Sequence, residues 1–116
     1  MARYGEDPAA ALREQVAAAL VNKGVALGVL GRSADAVAVY EEVVARYGED
    51  PAAALRERVA KALYNKSVEL VVLGRSADAV AVYEEVVARY GEDPAAALRE
   101  VVAQAVSALQ GTTEEA

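Results

Sequence analysis

Beginning at Pro8, apolar residues recur every three or four positions, at Leu12, Val16, Ala19, Leu20, Leu27 and Leu30, the spacing of one face of an α-helix. Gly31 interrupts the pattern and can adopt left-handed backbone, so a first helix is expected over 8–30. Ser33 then stands as an N-cap, and Ala36, Val37, Tyr40, Val43, Val44 and Tyr47 form a single apolar stripe that stops at Gly48. This second helix is expected over 34–47. Asp7 and Asp50 occupy N-cap positions, and Pro8 and Pro51 follow at the first helical position, where a missing N–H costs no hydrogen bond. The same signals one period later predict helices over 51–73, 77–90 and 94–109, with 111–116 left as a frayed tail. Valine would permit strands by propensity, but it recurs at three and four rather than at two, among residues that favour helix. The expected fold class is all-α.

The string Arg-Tyr-Gly-Glu-Asp-Pro-Ala-Ala-Ala-Leu-Arg-Glu begins at Arg3, Arg46 and Arg89, which fixes a period of 43 residues and an array of repeats in one domain. Repeat 1 spans 8–50 and repeat 2 spans 51–93; 94–110 is a partial third copy holding one helix. The two full repeats are identical at 37 positions and differ at six: Gln15/Arg58, Ala18/Lys61, Val21/Tyr64, Gly24/Ser67, Ala26/Glu69 and Gly28/Val71. All six lie on the first helix of the pair.

Composition narrows the chemistry. Among 116 residues there is no His, Cys, Trp or Phe, which removes thiol and imidazole nucleophiles, Cys/His zinc sites, disulfides and a neutral-pH histidine switch. No cofactor is expected. A net charge of −6 argues against nucleic acid and anionic membranes, which are bound through clustered Lys and Arg. Twenty-eight Ala and 19 Val supply an apolar fraction built from small side chains, suited to close helix approach. With no apolar run of about 18–20 residues and no leader-like start, the expectation is a cytoplasmic, soluble chain.

The helical pair containing Leu20, Gly24, Leu27, Leu30-Gly31, Ala36 and Tyr40 resembles the tetratricopeptide repeat, with 17–50 matching its frame and 8–16 lengthening the first helix. Leu20 and Leu27 stand where that family often has aromatics, Lys23 where it has an apolar residue, Val43 where it has Ala, and Gly48 where it often has Pro. These departures suggest a long-helix relative. The resemblance implies a right-handed α-solenoid, with first helices lining a concave groove and second helices forming the convex outside. The near identity of the repeats points to a consensus-based or computationally designed array, with recent duplication of natural repeats as the alternative.

On a helical wheel the first helix carries a second apolar side, Val21, Val25 and Val29 in repeat 1 and Tyr64, Val68, Val71 and Val72 in repeat 2. The resemblance places these toward the groove, with Asn22 and Asn65 where the family often holds a peptide backbone. The simpler alternative is that the valines pack against the next first helix. Lys61 is the main cation nearby, too little for clasping a peptide carboxylate. The pairs Glu41/Glu42 and Glu84/Glu85 diverge by about 100° on a polar face, so they read as solvated rather than as an acid/base pair. Gly24, Gly28 and Gly31 fall within or at the end of a helix and form no phosphate loop.

Residues 2–7 copy the last turn of a second helix, so a first helix is expected to stand unpaired at each end of the array. In the third copy Val101, Ala108 and Leu109 replace more polar residues, and neither end reads as clearly capped. The function expected is a non-enzymatic scaffold that self-associates head to tail through its two unlike ends, a contact that closes into a ring or grows into a filament, most simply an engineered cyclic homo-oligomer with the six varied positions tuned for that contact. The alternative is a monomeric module that binds a peptide or helix in the groove. Candidate interface residues are Val21, Asn22, Val25, Val29, Tyr64, Asn65, Val68, Val71, Val72, Val101, Ala108 and Leu109.

Overall fold

The computed structural model describes residues 8–115, with side chains as far as Gly111. It holds five helices, α1 Pro8–Val29, α2 Ser33–Tyr47, α3 Ala53–Val72, α4 Ser76–Tyr90 and α5 Ala96–Glu115. Each helix packs on the next, and α1 packs on α3 as α3 does on α5, whereas α2 and α4 do not pack on each other. Contact among the odd-numbered helices and divergence of the even-numbered ones curves the array, with α1, α3 and α5 on the inside. The result is an all-α solenoid of helical hairpins measuring 55 × 32 × 19 Å.

The turns follow from glycine. Gly31 and Gly74 have φ of 77° and 76°, the left-handed region. Arg32 N–H donates to the Leu27 carbonyl at 2.8 Å and Gly31 N–H to that of Gly28 at 3.0 Å, the paired bonds of a Schellman ending. Arg75 and Gly74 repeat them on Leu70 and Val71.

The helix starts depart from the sequence expectation. Asp50 Oδ1 accepts from Ala52 N–H and Asp93 Oδ1 from Ala95 N–H, both at 3.0 Å, so each proline lies inside a capping turn and α3 and α5 begin two residues late. The expected cap at Asp7 lies outside the described residues. Ser33 is the first residue of α2 rather than its cap, and its hydroxyl donates to Glu69 instead. Gly111 does not end α5, which continues to Glu115. In the repeat frame Gly111 copies Val25 and Val68, mid-helix positions, rather than the turn glycines Gly31 and Gly74.

The same two aspartates, each the last residue of its repeat, tie the first helix of that repeat to the capping turn that starts the next. Arg13 Nε lies 2.8 Å from Asp50 and Arg56 Nε 2.9 Å from Asp93. The Ala52 amide bond, joined by the Arg13 guanidinium, holds the Asp50 carboxyl below its ordinary 3.8 against a partial desolvation effect; Ala95 and Arg56 do the same for Asp93. Carboxyls that ionise more readily in the folded chain stabilise it above pH about 4, and that contribution is lost as pH falls through and below this value. The melting temperature is therefore expected to drop below pH 4, and less steeply in an Asp50→Asn/Asp93→Asn variant.

The core runs along the array through Ala17, Tyr40, Val43, Leu55, Val59, Leu63, Leu70, Val86, Leu98 and Ala105. Gly24 shows how closely α1 and α2 approach, since a Cβ there would lie 2.4 Å from Cε1 of Tyr40. In repeat 2 the equivalent Ser67 is buried, its hydroxyl donating to the Leu63 carbonyl at 3.1 Å, and Tyr83 lies against Tyr64 at 5.8 Å between ring centroids. A Gly24→Ala change must displace the Tyr40 ring, an overpacking cost that exceeds the gain in helix propensity. We expect a net loss of about 1–2 kcal/mol in urea unfolding.

Candidate functional site

The inner face of the array is the first candidate. Val25, Val29, Val68, Val71 and Val72 are exposed there, Asn22 is exposed, and Tyr64 and Asn65 are half-buried. A hollow of about 320 Å³ lies between α1 and α3, lined by Val25, Gly28, Val29, Tyr40, Asn65, Val68 and Glu69. A second of about 440 Å³ lies between α3 and α5, where Lys61, Tyr64 and Asn65 face Val101 and Gln104. Burial pushes the Tyr40 hydroxyl above its ordinary pKa, with the Glu69 charge adding and the Asn65 bond opposing. Burial raises Tyr83 likewise. The inner face is thus an apolar strip whose hollows are edged by Tyr and Asn side chains and by the charged Glu57, Lys61, Glu69 and Glu100.

At the α1–α2 and α3–α4 turns this strip widens into a rim, because Leu30 and Leu73 are exposed beside Val29 and Val72. Val29 is 82% exposed and Val72 68%. The sequence places Leu30 on the core stripe; past the last full turn of α1 no neighbouring helix remains for it to meet.

Four of the expected interface residues lie elsewhere. Val21 is buried, since α1 touches α2 and α3 at once and Val21 falls between the two contacts. Val101 is buried, and Ala108 and Leu109 are half-buried against the core. These three copy Arg58, Asn65 and Lys66, positions that face the preceding repeat, so they close α5 onto repeat 2. The side of α5 turned away from the array carries exposed Arg99, Glu100, Ala103, Ser107 and Gln110, with Val106 its only exposed large apolar residue among those described. That end is polar, contrary to the expectation of two uncapped ends.

Most of the six varied positions serve contacts within the chain. Arg58 reaches back to Glu14 at 2.8 Å, Tyr64 meets Tyr83, and Lys61 pairs with Glu57 on its own helix at 3.1 Å. Glu69 passes over Gly28, where a Cβ would come within 2.5 Å of its carboxylate, and accepts the Ser33 hydroxyl at 2.7 Å. The pairs Ala26/Glu69 and Gly28/Val71 are therefore coupled in contact, the Glu69 carboxylate of repeat 2 lying where Gly28 of repeat 1 carries no side chain. That coupling was available in the sequence as two changes two residues apart. Of the six residues in repeat 2, Val71 alone is exposed.

Stacked helical hairpins with an open inner strip define a repeat scaffold for protein interaction. The tetratricopeptide repeat family model matches residues 4–51, 21–94 and 64–116, and the chain belongs to that family. Comparison with curated proteins and with solved structures gives no match. No helix among the described residues is long and apolar enough to cross a membrane.

Proposed function

We propose that the chain is a non-enzymatic scaffold that self-associates into a closed, cyclic homo-oligomer through the inner valine strip and its rim. The observation that carries this is the exposure of Val25, Val29, Leu30, Val68, Val71, Val72 and Leu73 together on two successive repeats. Contiguous exposed apolar surface on a soluble domain marks an interaction site. The strip is one patch on one side of the molecule, and a patch that meets its own copy gives a closed, isologous contact rather than an open fibre. The polar outer side of α5 disfavours growth from that end. Near-identical repeats fit a consensus-derived array whose purpose is a shape. Sedimentation velocity over a range of concentrations tests the reading, which predicts a species heavier than the 12.1 kDa chain.

A second reading has the same strip accept a segment of another protein. The hollow beneath Val25 and Val68 favours it, since Asn65 and Tyr40 offer polar groups within an apolar wall. It predicts a monomer.

A further inference from the structure

The outer flank of α1 is a second uncovered surface, separate from the inner strip. Leu12 is 62% exposed, whereas its copies Leu55 and Leu98 are 0% exposed; Ala19 is exposed, whereas Ala62 and Ala105 are fully buried. Local sequence is nearly the same in all three, so the difference lies in what covers them. On the wheel of α3, Leu55 and Ala62 fall between Lys66 and Glu69. Lys66 pairs with Glu41 at 3.2 Å and Glu69 takes the Ser33 hydroxyl at 2.7 Å, and both partners belong to α2. The cover of this flank in α3 is therefore α2, and by the repeat it is α4 in α5. These two helices have one sequence, Ser-Ala-Asp-Ala-Val-Ala-Val-Tyr-Glu-Glu-Val-Val-Ala-Arg-Tyr.

From these placements we infer that the α1 flank is a docking site for a helix of the α2 pattern supplied by another protein, the end helix of an array that finishes on such a helix. The interface continues one that the chain already makes twice with the same residues. Charge agrees with it: Lys23, the copy of Lys66, is exposed on this flank and has no carboxylate partner among the described residues, while the α2 pattern carries a glutamate at the place that reaches Lys66. A second copy of this chain as folded does not supply the helix, because its α2 and α4 are each already packed between two odd-numbered helices.

The test is fluorescence anisotropy of a labelled peptide with the sequence of residues 33–47, titrated with the full chain. Saturable binding is expected. Leu12→Asp should weaken it at least about tenfold, the scale of one buried leucine, while Val72→Glu leaves it unchanged. Lys23→Glu should weaken it, and a peptide carrying Glu41→Lys should recover the loss. Circular dichroism verifies that each variant keeps its helicity. Three results would overturn the inference: no saturable binding to the unaltered chain, binding that survives Leu12→Asp but is lost in Val72→Glu, or dissociation of the chain's own oligomer by Leu12→Asp. The last would assign the flank to a second copy.

Discussion

Leu55→Ala is expected to destabilise the chain by about 2–5 kcal/mol, whereas Leu12→Ala should cost no more than about 0.5 kcal/mol. The two leucines sit in the same string, Ala-Ala-Ala-Leu-Arg-Glu, so helix propensity and local hydrogen bonding cancel in the comparison. What remains is burial. Leu55 is 0% exposed, and removing three carbons leaves a cavity as well as a lost transfer term; Leu12 is 62% exposed. Guanidinium unfolding of both variants measures the difference. Equal losses would mean that the α1 flank is covered in solution.

The second large effect concerns assembly. Val29→Glu/Val72→Glu is expected to reduce the proposed oligomer to the 12.1 kDa chain while leaving helicity intact. Both side chains stand at the rim, make no contribution to the buried core, and lie 43 residues apart on adjacent repeats, so the two carboxylates enter one surface. Burying either charge unpaired in an apolar contact costs several kcal/mol, more than a modest interface can offset. Size exclusion with helicity measured on the same sample distinguishes dissociation from unfolding.

The fold was legible because each hairpin is spelled twice. Leucine and valine spacing gave the helices, and Gly31 and Gly74 gave the turns to the residue. The starts of α3 and α5 were less legible, because Asp-Pro fits a capping turn as well as a first helical position, and the backbone chooses between them. Gly111 misled for a related reason: its meaning depends on its place in the repeat, where it copies Val25. Exposure was the least legible property. Leu12, Leu55 and Leu98 read alike, and only the order of helices in space separates them. Val21 looked like a surface residue from a single helix wheel, which cannot register a helix that touches two neighbours at once, and the sequence marks Val101 by the polar residues it replaces in the other repeats. The contacts of the six varied positions are mostly internal, with Glu69 bridging to Ser33 across Gly28. Val25, Val29, Val68, Val71 and Val72 are exposed on the inner face.

Light scattering coupled to size exclusion, on the unaltered chain at tens of micromolar, bears most directly on the self-association proposed for the inner strip. A mass that is a whole multiple of 12.1 kDa, two or more, is the predicted result. A mass of 12.1 kDa would contradict it.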